Sequence, residues 1–186
     1  IGETVQAFGG IDVVVNNAGV ENMNLVEDMP LEDWRQVMNV NSDGVFLGVK
    51  HAIQAMKPGG ISGRGGSIIN MASICAMVAF KGAGSYSAAK AWVTTMSESL
   101  SLSLDGTGVR VVVAAAGLTR SEFHARSGSG APPVPSWLWL EPAQVAEAAL
   151  RDAALGRPVS VAGRHYRPMV ALLRNGPVAL GRLVTA

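Results

Sequence analysis

Tyr86 and Lys90 lie four residues apart, where a glycine-containing loop runs into an alanine-rich segment. Four residues make about one helical turn, so both side chains would project from the same face of a helix. An ammonium near a phenol favours the phenolate and lowers the pKa of the phenol. We therefore predict that Tyr86 exchanges protons with a substrate. The same spacing arises by chance on many solvated helices, so the surrounding elements must support this assignment.

The apolar residues predict strands that alternate with helices. Short apolar runs predict strands at 11–15, 67–71, 109–114 and 158–161, and helical spacing predicts helices at 31–56, 85–104 and 141–155. Residues that weaken a helix interrupt the first of these helices at 39–44. Strands separated by helices imply an α/β fold with a doubly wound parallel sheet. We expect one domain over 1–186, with an irregular excursion at 118–140 and a frayed basic tail at 164–186.

The composition argues against several classes of protein. Hydrophobic residues make up 48% of the chain and charged residues 16%, which is typical of a globular protein. The formal net charge of +1 gives no electrostatic reason to expect a nucleic-acid partner. A single cysteine, Cys75, cannot form an internal disulfide, which favours the cytoplasm, and three scattered histidines predict no metal site. No apolar run reaches the roughly 20 residues that a membrane span needs.

Small or polar segments follow the three main predicted strands. The first strand runs into residues 16–19 (NNAG), the second into 72–73 (AS) and the third into 116–119 (AGLT). Because the carboxyl ends of parallel strands meet at one edge of a sheet, these segments should lie together. Ligands of open α/β sheets bind at that edge. The sequence therefore predicts a binding cleft there, next to Tyr86 and Lys90.

With these segments in this order, the chain resembles the classical short-chain dehydrogenase/reductase family. Tyr86 and Lys90 match the family's Tyr-x-x-x-Lys motif, and Ser73, 13 residues before Tyr86, has the spacing of the family's serine. Asn41, three residues before Gly44, matches the asparagine where the preceding helix is interrupted. The resemblance extends to about Gly163 and implies a Rossmann-like fold.

The resemblance also implies roles for these residues. Tyr86 would exchange a proton with a substrate oxygen that Ser73 hydrogen-bonds, Lys90 would keep the phenol acidic, and Asn41 would position a water that relays protons to Lys90. The implied cofactor is NAD or NADP, and its implied contacts are Asn16, Ala18, Gly19, Tyr86, Lys90, Gly117 and Thr119. The implied substrate is a small alcohol or carbonyl compound. The excursion at 118–140 would bind it, and its Phe123, Trp137 and Leu138 suggest a partly apolar molecule.

The chain departs from the family pattern in two places. The family's phosphate-binding glycine loop is not found before Ile11, so we expect an N-terminally truncated member, with the first strands and this loop upstream of Ile1. A literal glycine match at 59–65 has a predicted helix before it and a strand after it, the reverse of a phosphate site. Ala116 and Gly117 stand where the family usually has Pro-Gly, so this turn should be looser.

These observations lead to a principal prediction and two alternatives. The resemblance implies an enzyme that interconverts an alcohol and a ketone or aldehyde. The alternatives are an epimerase or dehydratase with the same Tyr86 and Lys90, and a non-catalytic remnant that binds cofactor poorly. For a full-length protein the resemblance implies a homodimer or homotetramer formed by the helices at 31–56 and 85–104. On the second helix we note an apolar stripe of Ala89, Val93, Met96 and Leu100.

Overall fold

The computed structural model describes residues 1–78, 80–128, 130 and 132–175. Its four strands form one sheet in the order β1-β2-β3-β4, with bounds Val13–Asn16, Gly66–Ser73, Val109–Ala116 and Val159–Val161. All three neighbouring pairs are parallel. The predicted parallel sheet is therefore confirmed.

Helices connect these strands. The described residues form seven α-helices, α1 to α7, with bounds Gly2–Phe8, Leu31–Met38, Gly44–Met56, Gly84–Ser103, Phe123–Ser127, Pro142–Ala154 and Tyr166–Asn175. A π-helical turn at Asn39–Asp43 joins α2 to α3, at the predicted interruption. Such turns insert an extra residue into a helix and often lie at functional sites.

The central strands alternate their side chains between two covered faces. Ile68 and Val111 pack in one cluster with α3 and α4, whereas Ile69 and Val112 pack in another with Ala149 of α6. Successive strand residues point to opposite faces, which explains why these strands are apolar throughout. The sheet is thus doubly wound, and the carboxyl ends of β1, β2 and β3 open on one edge.

Strand β1 is covered on one face only. Val14 packs against the cluster under α3, but about half of the surface of Val13 and of Val15 is exposed. Among the described residues, β1 pairs with β2 alone. Strand β1 is therefore an edge strand of the described sheet, with one apolar face exposed.

The apolar stripe of α4 faces the sheet. Ala89 and Val93 are fully buried, and Met96 and Leu100 pack against the same cluster as Val93. Burying these side chains inside the domain removes them from any contact with a second protomer. The stripe is therefore not available as an interface. The large exposed apolar side chains of α3 and α4 are Phe46, Leu47, Trp92 and Leu102.

The basic segment after β4 is folded up to Asn175. Residues Tyr166–Asn175 form α7, and Tyr166 and Val170, one turn apart, are buried in a cluster with Leu140. The Nε of Arg167 donates to the carbonyl oxygen of Val161 at 3.2 Å, which joins α7 to β4. The expectation of a frayed tail is therefore wrong for this part, because an apolar face anchors the helix. The remainder of that tail lies outside the described residues.

Candidate active site

A cleft of about 1810 Å³ opens at the carboxyl ends of β1, β2 and β3. The predicted site residues that line it are Ala18, Gly19, Ser73, Tyr86, Lys90, Gly117 and Thr119. Asn16 and Asn41 do not line it and lie behind its wall. The topology thus brings segments from three strand ends and the start of α4 to one place.

Tyr86 and Ser73 form the inner wall of this cleft. Tyr86 lies in the first turn of α4, and Ser73 is the last residue of β2. The Ser73 Oγ accepts a hydrogen bond from the Cys75 amide at 3.1 Å, which fixes the serine at the strand end. Ser73 also acts on Tyr86, because its side chain favours the phenolate and opposes the rise in the pKa of Tyr86. Two hydroxyl groups therefore meet where a substrate oxygen could contact both.

Lys90 lies one turn further along α4 and is nearly buried. Its Nζ donates to the carbonyl oxygen of Met71 at 2.8 Å and lies 5.7 Å from the centroid of the Tyr86 ring. Burial disfavours the charged ammonium and lowers the pKa of Lys90 to about 8. Near neutral pH the amine is therefore a cation that readily releases its proton.

The pKa of Tyr86 moves in the opposite direction from our expectation. Burial raises the pKa of this phenol well above its usual value, Cys75 and Glu21 add to the rise, and the hydrogen bond with Ser73 opposes it. The prediction that Lys90 lowers this pKa is wrong for the structure described, because the ammonium binds the Met71 carbonyl and burial dominates. The phenol accordingly keeps its proton at neutral pH and is a proton donor.

Asn41 holds the loop that follows β1. Its Oδ1 accepts from the Val20 amide at 3.0 Å, and its Nδ2 donates to the Val20 carbonyl oxygen at 2.6 Å. A Cβ at Gly19 would come within 3.0 Å of the Asn41 Oδ1 and 3.3 Å of the Lys90 Nζ. Glycine is therefore needed where this loop crosses Asn41 and Lys90. Both polar atoms of the Asn41 amide are engaged, which supports a positioning role, and its water relay stays a prediction.

Asn16 joins the sheet to α4 instead of facing the cleft. Its Nδ2 donates to the Asn70 Oδ1 at 2.7 Å, and the Asn70 Nδ2 donates to the Ser97 Oγ at 2.9 Å. Asn70 and Ser97 are fully buried. We did not predict these two residues, although a polar side chain inside an apolar strand or helix face is a recognisable sign of such a network.

The excursion at 118–140 is closed at its base and faces the cleft with one aromatic ring. Thr119 forms a parallel bridge with Leu140, whose amide donates to the Leu118 carbonyl oxygen at 2.8 Å. The Phe123 ring lies 5.9 Å from the Tyr86 ring, centroid to centroid. Of the three apolar residues singled out from the sequence, Phe123 lines the cleft, whereas Trp137 and Leu138 do not.

A polar cluster that we did not predict connects the two sides of the cleft. The Glu21 Oε1 accepts from the Ser127 Oγ at 2.8 Å and lies 3.2 Å from the His124 Nδ1. These contacts bridge 106 and 103 residues of sequence, so no local pattern could reveal them. They fix α5, which carries Phe123, against the loop after β1.

Within the described ranges, no group of three or more histidine, cysteine, aspartate or glutamate side chains is arranged to hold a metal ion. No helix in the same part of the chain is long and apolar enough to cross a membrane.

Comparison with known families places this site in context. Residues 1–131 match the family described as short chain dehydrogenase. The chain belongs to this family. It is therefore a short-chain dehydrogenase/reductase by sequence, and its α/β fold with a parallel sheet agrees with that membership.

Three curated relatives are enzymes of this kind. The chain is 39% identical over 111 residues to trans-4-hydroxycyclohexanecarboxylate dehydrogenase of Sinomonas cyclohexanicum, covering 60% of this chain and 41% of that protein. It is 46% identical over 99 residues to the NADP-dependent (R)-specific alcohol dehydrogenase of Lentilactobacillus kefiri, covering 53% and 38%. It is 36% identical over 120 residues to a 3-oxoacyl-[acyl-carrier-protein] reductase of Synechocystis, covering 64% and 47%. The chain thus matches less than half the length of each relative.

Proposed function

We propose that this protein is an NAD- or NADP-dependent oxidoreductase that interconverts an alcohol and a ketone or aldehyde. The observation that carries the proposal is the grouping of Ser73, Tyr86 and Lys90 on one wall of a cleft at the sheet edge. The family membership supports an oxidoreductase. The names of the relatives support a nicotinamide cofactor and a small alcohol substrate.

The side chains suggest how the reaction proceeds. In the reductive direction the neutral Tyr86 phenol donates its proton to the carbonyl oxygen of the substrate, as general acid. The Ser73 hydroxyl hydrogen-bonds the same oxygen and stabilises the negative charge that develops there. Lys90, with a pKa of about 8, can then return a proton to the phenolate. At neutral pH the phenol carries the proton that this step requires, while burial, which raises the pKa of Tyr86, makes it a weaker acid and opposes the transfer.

The cleft has features that fit a nicotinamide cofactor. The absence of a side chain at Gly19 leaves the space beside Asn41 and Lys90 open, and the cleft volume is ample for a dinucleotide. Residues that would hold the cofactor are Ala18, Gly19, Lys90, Gly117 and Thr119. When bound, the cofactor supplies or accepts the hydride, and the protein supplies orientation and proton transfer. Asn16 acts indirectly, by fixing the strand that leads into this loop.

Two further properties belong to the same proposal. We place the protein in the cytoplasm, because its single cysteine offers no internal disulfide. We also propose a homodimer or homotetramer built on α3 and α4, whose Phe46, Leu47 and Trp92 are exposed. Large exposed apolar side chains on neighbouring helices commonly mark a protein interface. Light scattering at micromolar concentration tests this, and a stable monomer would contradict it.

The test of the reaction is turnover of reduced cofactor with a panel of ketones and aldehydes, followed by nicotinamide absorbance and product analysis. We expect net reduction by the wild type and a fall of about 10- to 1000-fold with Ser73→Ala, because one donor to the developing charge is lost. The control is Ser87→Ala on α4, next to Tyr86, because the Ser87 Oγ has no hydrogen-bond partner among the described residues. Conversion without net redox change would point to an epimerase or dehydratase. Absence of both turnover and cofactor binding would point to a remnant.

A further inference from the structure

Tyr166 of α7 lies directly behind the turn that follows β3. Its hydroxyl accepts from the Leu118 amide at 3.1 Å and donates to the Leu138 carbonyl oxygen at 2.7 Å. One phenol thus binds backbone atoms near both ends of the excursion at 118–140. The residues that match the family end at 131, so Tyr166 lies outside that match.

The Tyr166 ring also determines what can occupy position 117. A Cβ at Gly117 would come within 2.4 Å of two carbon atoms of this ring. The ring is 1% exposed and is held in a cluster with Leu140 and Val145, so it has no free space to move into. Gly117 is therefore packed against a rigid surface on one side, while its other side lines the cleft.

The turn needs such support because its own sequence provides little. Ala116 and Gly117 leave the backbone freer than most residues do, and glycine most of all. A restraint on this turn must come from its surroundings, since no proline fixes φ at position 116. Burial raises the pKa of the Tyr166 phenol, and this outweighs the opposing effect of the Leu118 amide. The hydroxyl therefore stays protonated and can donate and accept at once.

We propose that Tyr166 is a positioning residue, which holds the turn at 117–119 in the shape that the cleft requires. It acts through the Leu118 backbone and the face of Gly117, and it touches neither substrate nor cofactor. Its consequence for cofactor binding rests on the proposed oxidoreductase function, in which Gly117 and Thr119 contact the cofactor. Its effect on the backbone of the turn does not rest on that function.

The experiment is amide hydrogen exchange on the full chain, compared between the wild type, Tyr166→Phe and Val170→Ala. Tyr166→Phe keeps the ring and removes the hydroxyl. Val170→Ala removes apolar volume from the same cluster and leaves the hydroxyl in place. In Tyr166→Phe, we expect the acceleration of amide exchange at Leu118 to be at least ten times the acceleration of exchange in β2. In Val170→Ala, exchange at Leu118 and exchange in β2 should accelerate by the same factor. Equal acceleration at Leu118 in the two variants would overturn the proposal.

A second substitution tests whether restraining the backbone restores the order that Tyr166→Phe removes. In the Tyr166→Phe background, Ala116→Pro should restore order around Thr119 by fixing φ, and exchange there should slow to within about threefold of the Ala116→Pro single variant. Failure of this rescue would mean that the hydroxyl does something other than restrain the turn. In the cofactor assay, Tyr166→Phe should raise the KM for cofactor several-fold and change kcat by less than twofold. If the wild type shows no turnover, the proposed function fails, and hydrogen exchange still decides the role of Tyr166.

Discussion

The chain has two tyrosines, and the fold buries both, leaving 8% of Tyr86 and 1% of Tyr166 exposed. Their hydroxyl groups have different partners. The Tyr86 hydroxyl faces the side chain of Ser73 in an open cleft, whereas the Tyr166 hydroxyl binds two backbone groups inside a packed cluster. Burial raises the pKa of both phenols. Depth of burial therefore does not distinguish the two tyrosines, whereas the surroundings of their hydroxyl groups do.

The difference also concerns what each hydroxyl can still do. The Tyr166 hydroxyl donates to one backbone group and accepts from another. Both groups belong to the folded chain, so these hydrogen bonds persist in the native structure. Tyr86 lines the cleft beside Ser73, and the cleft offers room for a substrate oxygen. A buried hydroxyl with an exchangeable partner is available for chemistry, and one with fixed partners supports the backbone.

The largest expected effect comes from removing each hydroxyl in turn and measuring turnover. Tyr86→Phe should lower kcat by about 100- to 10,000-fold, because the proton donor is lost. Cofactor binding should remain, since the ring stays in place. Tyr166→Phe should leave kcat within about twofold of the wild type. Similar losses of kcat in the two variants would abolish the distinction between the two sites.

The grouping of Ser73, Tyr86 and Lys90 at one edge of the sheet could be predicted from the order of the strands and from the motif that resembles the family's. Tyr86 and Lys90 share one helix, and the order of strands and loops places Ser73 and Asn41 nearby. Tyr166 could not be predicted in the same way, because its partners lie 48 and 28 residues away. Its only signal was an aromatic residue in a stretch that we took for a frayed tail.

Two other expectations from the sequence were wrong for the same physical reason that Tyr166 was missed. The pKa of Tyr86 was expected to fall because the spacing reveals the nearby charge of Lys90, but spacing does not reveal the depth of burial that decides the direction. The stripe of α4 was considered for an interface, but periodicity alone does not say which layer covers it. Both properties depend on packing between distant segments. Residue spacing therefore predicted the secondary-structure elements more reliably than the surroundings of individual side chains.

The second prediction separates catalysis from stability at Lys90. Burial lowers the pKa of Lys90 to about 8 from 10.5, so keeping it charged costs folding free energy at neutral pH. Lys90→Met should lower turnover at least about 100-fold, because the proton supply to Tyr86 is lost, and should stabilise the fold by on the order of 2 kcal/mol at pH 7. Urea unfolding measures this.

The control for this variant is Lys57→Met, at an exposed position after α3. It should change stability by less than about 0.5 kcal/mol. The pH dependence is a further check. Between pH 8 and 10.5 the unfolded chain keeps a proton on Lys90 that the folded chain has released, so wild-type stability gains from this group as pH rises. That gain should vanish in Lys90→Met, and its persistence would contradict the assignment.

The third prediction concerns the packing of Gly117 against the Tyr166 ring. Gly117→Ala places a Cβ within 2.4 Å of the Tyr166 ring, so it should destabilise the fold by about 1–3 kcal/mol. Gly2→Ala is the matched control, because a Cβ at Gly2 meets nothing within 4 Å. In a Tyr166→Ala background the added methyl group has room, and Gly117→Ala should cost much less. Equal costs in both backgrounds would show that the ring does not limit position 117.

The smallest expected effect is the dependence of stability on alkaline pH. A phenol whose folded pKa is raised keeps its proton after the unfolded chain has lost it, so its stabilising contribution is complete below pH 10 and declines above it. Each such tyrosine lowers the free energy of unfolding by about 1.4 kcal/mol per pH unit in this window.

Tyr86→Phe should flatten the curve between pH 10 and 11, and Tyr166→Phe should flatten it less, since its hydroxyl is also bound by the Leu118 amide, which opposes the rise. The contribution of Lys90 is common to all three proteins, whereas the charge of Cys75 is coupled to both phenols and is part of the effect measured. Urea unfolding at intervals of half a pH unit gives these slopes, and a wild-type curve parallel to that of Tyr86→Phe would mean that the cleft does not hold the proton on Tyr86.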